Sequence, residues 1–115
     1  MSMYIIYRAI NDVNGKSYIG LTSKSLLIRK RQHIEKSYSN ESPCLIHKAI
    51  KKHGTKSFHW VVLDVAKTVT EACNLERTYI TEYDTFGING YNLTNGGEGV
   101  KEVSESTNRK EKSFL

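Results

Sequence analysis

Hydrophobic and polar positions change their period several times along the chain, and each change marks an element. From about Met3 to Ile10 and from about Ser17 to Leu21 the chain is rich in Tyr and Ile. The intervening Asn11-Asp12-Val13-Asn14-Gly15-Lys16 carries turn formers, so a β-hairpin is expected, with Asn14-Gly15 the pair preferred in a tight primed turn. A helix follows, opened by Thr22 or Ser23 and running to about Ser37. Ser42 and Pro43 suit the cap and first position of a second helix, which ends at His53-Gly54. Phe58 to Val65 is aromatic and β-branched and reads as a central strand. Thr68 and Glu71 have capping-box spacing ahead of a third helix to about Asp84. Asn89-Gly90-Tyr91-Asn92 and Asn95-Gly96-Gly97-Glu98-Gly99 read as turns.

This order predicts an α+β fold, a small, mainly antiparallel three-stranded sheet flanked by helices. The 115 residues suffice for one domain, expected over residues 1–100, with 101–115 a polar tail or linker. No apolar run approaches the roughly 20 residues needed to span a bilayer. Cys44 and Cys73 form neither a CxxC pair nor a secreted framework, and the N-terminus lacks a signal-peptide pattern, so a cytoplasmic setting without a membrane partner is expected.

Charge changes the picture more than composition does. The formal net charge is +5, and it is unevenly spread. Lys24, Arg29, Lys30, Arg31 and Lys36 cluster in the first expected helix and the loop before it, and Lys48, Lys51, Lys52 and Lys56 follow without an acid, whereas acids dominate the later half. Such clustering suits a polyanion, because phosphate neutralisation releases counterions. A solvated lysine-rich surface would have the same composition.

Tyr7 and Tyr18 share a face of the sheet, and hairpin register decides whether they meet. A two-residue loop at Asn14-Gly15 puts Tyr18 opposite Asn11, about 13 Å along the strand from Tyr7; a four-residue loop from Asp12 to Gly15 puts it opposite Ala9, about 7 Å away. Packing alone would also account for two tyrosines. Arg29 and His33 lie one helical turn apart, on a face separated from Leu27, Ile34 and Tyr38, which are expected to point to the core. That leaves Arg29 and His33 to meet a ligand, or simply solvent. In the third helix Ala72, Leu75, Tyr79, Ile80 and Tyr83 form an apolar stripe with Glu76 near its middle. A carboxylate there needs a salt bridge or a divalent cation. Cys44, His47, His53 and Cys73 lack the spacing of a zinc site.

Together these residues resemble the GIY-YIG nuclease family. The first motif stands as Ile5-Ile6-Tyr7, with isoleucine in place of its glycine, and the second as Tyr18-Ile19-Gly20. Ser25 to His33 is similar to the family's arginine and histidine helix, Leu75-Glu76 with Tyr79-Ile80 to its acidic helix, and Gly90-Tyr91-Asn92-Leu93-Thr94 with Gly96-Gly97 to its asparagine motif. The likeness spans roughly residues 3 to 99 and, through Lys52-His53-Gly54, is strongest to catalytic domains of phage and intron-encoded homing endonucleases. It implies DNA phosphodiester hydrolysis with one divalent cation, magnesium or manganese, in a phage or bacterial host cytoplasm. Carried over by position, Glu76 holds the metal, Arg29 stabilises phosphate charge, and Tyr7, helped by His33, takes a proton from the attacking water. Tyr18 orients water or phosphate and Asn92 holds the site together. Lys24, Lys30, Arg31, Lys36, Lys48, Lys51 and Lys52 are the expected DNA contacts. A non-catalytic nucleic-acid-binding module with this fold is the alternative, and monomer or transient dimer on DNA both stay open.

Overall fold

Alternation along β1 (Tyr4–Asn11) serves two cores at once. Ile6 packs with Ile19, Ala66, Ala72 and Ile80 on one face, and Ala9 with Ile46, Ala49, Ile50, Phe58 and Tyr91 on the other. Each fully buried isoleucine contributes roughly 1.5–3 kcal/mol. The computed structural model describes residues 3–96. After β1 come β2 (Ser17–Thr22), α1 (Leu26–Ser37), α2 (Leu45–His53), a 3-10 turn (Thr55–Ser57), β3 (Phe58–Ala66) and α3 (Val69–Tyr83). The sheet is antiparallel in the order β2-β1-β3, with α3 on the Ile6 face and α2 on the Ala9 face, where α1 packs against α2. The expected tail from residue 101 and the last glycines of the 95–99 turn lie outside the described residues.

Hairpin register takes the longer of the two alternatives, with Ala9 opposite Tyr18 and Tyr7 opposite Gly20. The tight Asn14-Gly15 turn does not form, because the side chain of Asn11 accepts from Val13 N and opens the turn early. Asn11 N donates to Lys16 O and Gly15 N to Asn11 O, closing a loop over Asp12 to Gly15. A second irregularity lies in β3, where Ile6 faces Asp64 but Tyr7 faces Val62. The extra residue, Leu63, is a bulge of the kind that re-aims side chains beside functional sites.

Three local expectations are corrected. β3 is an edge strand, not the central one, and Val61, Val62 and Val65 are exposed, so its β-branched run reflects strand preference rather than burial. Helix α1 is capped by Ser25, which accepts from Ile28 N, while Thr22 accepts from Lys24 N within a turn. Helix α2 begins after Cys44, because Ser42 is engaged with His47 instead of a helix N-terminus. By contrast, Thr68 caps α3 by accepting from Glu71 N, and Glu71 accepts in return from Lys67 N.

Candidate active site

The Ala9 face of the sheet also carries Tyr7, Tyr18 and Trp60, and α1 lies over them. The rings of Tyr7 and Tyr18 have centroids 6.1 Å apart. Their approach depends on Gly20, opposite Tyr7 across the hairpin: a Cβ there would overlap Tyr7 Cζ and Oη. Ile5, at the departure from the first motif, pairs with Thr22 and Val65, and Tyr7 is fully buried two residues on.

His33 enters this aromatic box from α1 and is 1% exposed. Its ring stacks on Trp60 and meets Tyr18 edge-on. The expected orientation of α1 is therefore inverted: His33 and Ser37 are buried, while Leu27 and Tyr38 are 59% and 73% exposed. The interior here is built of polar-tipped rings, so a histidine with two hydrogen bonds fits it better than a leucine would. His33 Nε2 lies 2.6 Å from Tyr7 Oη, and Nδ1 lies 2.9 Å from His47 Nε2. Arg29, one turn earlier, is half-buried and donates to Gln32 Oε1. Beside it opens a cleft of about 260 Å³ lined by Leu21, Thr22, Ser23, Lys24, Arg29 and Gln32 among others.

Burial sets the ionisation of the box. It raises the Tyr7 hydroxyl well above its ordinary value of 10.0, with Tyr18 adding to the effect and the Arg29 charge opposing it. Tyr18 is raised for the same first reason; Arg29 opposes and the Glu76 charge adds. His33 is lowered to about 3 by burial, then by Arg29, His47 and Lys36, and His47 is lowered by burial, Lys36 and Arg29. A lowered tyrosine pKa, which direct base catalysis by Tyr7 calls for, is thus not what the surroundings produce: desolvation outweighs Arg29. Both tyrosines and both histidines are neutral near pH 7.

Glu76 stands on α3, in the opposite layer. It is 9% exposed, between the buried Cys73 and Ile80, and its charge acts on Tyr18. Asn92 has a different task. Its Oδ1 accepts from Ile19 N and its Nδ2 donates to Ile19 O, both at 2.9 Å, so one amide completes the outer edge of β2 between Tyr18 and Gly20. The chain reaches that edge after α3 closes at Asp84, because Asn92 N donates to Thr85 O and Gly90 leaves no room for a Cβ against the Thr85 backbone. Replacing Asn92 by alanine strands two buried backbone groups, each costing about 1–3 kcal/mol. Urea unfolding of Asn92→Ala is accordingly expected to show a loss of about 2–4 kcal/mol; an unchanged midpoint would mean that this edge is held some other way.

The structure thus brings Tyr7, Tyr18 and His33 together with Arg29 beside them, places Glu76 on α3 where its charge acts on Tyr18, and sets Asn92 behind the tyrosines. Of the expected DNA contacts, Lys24 lines the cleft, Lys30 is half-buried on α1, and Arg31, Lys36, Lys48, Lys51 and Lys52 are exposed on the two packed helices. Sequence reasoning missed His47, Ser42, Trp60 and the packing role of Gly20. No local signal marks His47, whose burial beside Ile46, Ala49 and Ile50 follows from the packing of α2. Among the described residues no three His, Cys, Asp or Glu side chains are grouped so as to hold a metal ion between them.

The sheet with its paired tyrosines, and His33 and Arg29 brought against them by α1, is the arrangement to be set beside known proteins. A sequence profile of the GIY-YIG catalytic domain matches residues 3–92, and the chain belongs to that family. It is 32% identical over 96 residues to the protein named "Putative endonuclease segE" of Enterobacteria phage T4, covering 84% of this chain but 43% of that protein, so it spans less than half of its relative. Two solved structures share the fold at 24% identity. The catalytic domain of the intron endonuclease I-TevI, in a point-mutant form, superposes with a TM-score of 0.71 over 83% of this chain and 96% of that one. The catalytic domain of the homing endonuclease I-TevI gives 0.68 over 79% and 98%.

Proposed function

We propose that the chain is the catalytic domain of a DNA endonuclease that hydrolyses phosphodiester bonds with one divalent cation, magnesium or manganese. The observation that carries this reading is the buried Glu76 carboxylate, which acts on Tyr18 in the same site where Arg29 acts on both tyrosines. A module that only bound phosphate would gain nothing from a negative charge there. The names of the phage relative and of the I-TevI domains support the nuclease class. The basic residues of α1 and α2 and the cleft beside Arg29 suit a polyanionic substrate such as DNA.

One carboxylate suits a hard cation that keeps most of its waters and completes its shell with substrate phosphate. Glu76 would hold this ion, which when bound supplies Lewis-acid polarisation of the scissile phosphate. The chain's own groups do the rest. Arg29 neutralises charge that builds on the phosphate oxygens. Tyr7 Oη receives a proton from the attacking water as its own proton passes to His33 Nε2, Tyr18 orients water or phosphate, and Asn92 keeps β2 in place beneath them.

The test is supercoiled plasmid incubated with the protein and magnesium or manganese, against the same mixture with EDTA. Nicked or linear product only with the metal is expected. DNA binding without cleavage under every condition would mean that the chain is a binding module, and cleavage in EDTA would remove the metal from the mechanism.

A further inference from the structure

Behind Tyr7 the hydrogen bonds do not stop at His33. Tyr7 Oη meets His33 Nε2 at 2.6 Å, His33 Nδ1 meets His47 Nε2 at 2.9 Å, and His47 Nδ1 meets Ser42 Oγ at 2.6 Å. Tyr7, His33 and His47 are buried, whereas Ser42 is half-buried in the exposed loop before α2. Every ring nitrogen of the two histidines is engaged in this one line, and it runs from the reacting hydroxyl to the surface.

We propose that Tyr7, His33, His47 and Ser42 form a proton relay that carries the proton of the attacking water from the active site to solvent at the loop before α2. The proposal rests on the endonuclease reading above and assigns His47 and Ser42, which touch no substrate, as positioning residues for Tyr7.

A neutral imidazole has one donor and one acceptor nitrogen, so the line must be polarised one way throughout. In the outward sense Tyr7 O–H donates to His33 Nε2, His33 Nδ1–H to His47 Nε2, and His47 Nδ1–H to Ser42 Oγ. The Cys44 N–H, 3.3 Å from Ser42 Oγ, is accepted in either sense. As the water oxygen bonds to phosphorus, one water proton passes to Tyr7 Oη. The Tyr7 proton moves to His33 Nε2, the His33 Nδ1 proton to His47 Nε2, and the His47 Nδ1 proton to Ser42 Oγ, whose own proton leaves to solvent. The P–O3′ bond breaks with its electron pair on the 3′ oxygen, which takes a proton from water, so protons balance. Every group ends neutral, both rings now carrying the proton at Nε2; once the product has left, a solvent proton taken up at Ser42 drives the hops back inward and one proton passes from Tyr7 to a water in the emptied site, which restores the outward sense.

The second histidine solves a specific problem. With His33 alone, taking the Tyr7 proton would create an imidazolium in surroundings that lower its pKa to about 3. With His47 and Ser42 in line, both rings start and finish neutral. Desolvation then favours the relay instead of opposing the base.

Two measurements test it. Long-range ¹⁵N spectra of the folded wild-type protein need no cleavage and so stand apart from the nuclease reading: His33 and His47 are both expected to be the neutral Nδ1–H tautomer at pH 7, and two Nε2–H rings would leave no acceptor for the Tyr7 proton and overturn the relay. Opposite tautomers, or a charged ring, would break the line and overturn the relay. The second measurement is single-turnover plasmid cleavage by His47→Gln in magnesium, with DNA affinity and melting temperature measured alongside. Glutamine keeps an acceptor for His33 but cannot pass a proton between its ends. The variant is expected to bind DNA as the wild type does and to cleave at least about 10-fold more slowly, at the low end of acid–base contributions. The wild-type proton inventory in H₂O/D₂O mixtures is expected to be curved, and that of the variant linear. Wild-type rate and inventory in His47→Gln would overturn the relay alone, and absence of cleavage in the wild type would overturn the nuclease reading with it.

Discussion

Glu76→Gln is expected to lower plasmid cleavage by about 10³-fold at saturating magnesium while leaving DNA binding intact or slightly tighter. The proposed cation contributes several kcal/mol of charge stabilisation as the phosphate reacts, and about 4 kcal/mol corresponds to a factor of about 10³ in rate. Glutamine has the shape of the native side chain and removes only its charge, so the buried position between Cys73 and Ile80 remains filled. The sign of the binding effect matters as much as the loss of rate. If Glu76 were a structural ion-pair partner, removing its charge would strand a buried cation and cost several kcal/mol of stability. The two roles therefore separate cleanly. A melting temperature near that of the wild type with cleavage lost supports the metal ligand, and a large drop in melting temperature with residual cleavage proportional to folded protein would refute it. Raising the manganese concentration offers a further check, since a weakened metal site is partly recovered by mass action and a missing ion-pair partner is not.

The sequence was most legible where local chemistry decides the outcome. Thr68 and Glu71 mark the start of α3 because both partners of the cap lie within one turn, and the shared face of Tyr7 and Tyr18 follows from the period of a strand. Glu76 was visible because a carboxylate on an apolar stripe is anomalous whatever surrounds it. Register was not decidable, since the loop length is tied to Asn11, whose Nδ2 donates to Tyr91 Oη 80 residues later. The apolar pattern of α1 points the wrong way, because its apolar residues Leu27 and Tyr38 do not mark the inward face. Here the interior is lined by Tyr7, Tyr18, Trp60 and His47, and burial follows hydrogen-bond complementarity with His33. Asn92 could not be read from its neighbours at all, as both its bonds reach Ile19, 73 residues earlier. His47 escaped for the same reason: a buried histidine declares itself only when its partner, 14 residues away, is known to face it.

Gly20→Ala is expected to abolish most of the activity without touching any polar group of the site. Gly20 is not among the residues with positive φ, so alanine can adopt its backbone, and a strand interior even favours it by roughly 0.5–1 kcal/mol. What it cannot avoid is the Tyr7 ring, whose Cε1 would lie 2.7 Å from the new Cβ, with Cζ and Oη closer still. Tyr7 is fully enclosed by Tyr18, His33 and Trp60, so it can yield only by shifting its hydroxyl from His33 or by prising the hairpin apart. Overpacking of this kind costs about 1–3 kcal/mol of stability, and a displacement of about 1 Å at a reacting group costs about 10²-fold in rate. A double-mutant cycle isolates the cause. In a Tyr7→Ala background the space is vacant, and Gly20→Ala is expected to be neutral or slightly stabilising, giving a coupling of about 1–3 kcal/mol between the two positions. If Gly20→Ala costs the same with and without the tyrosine ring, the glycine serves the strand and not the hydroxyl. Coupling in stability together with lost cleavage would instead make the second motif's glycine the mould that sets where Tyr7 meets His33.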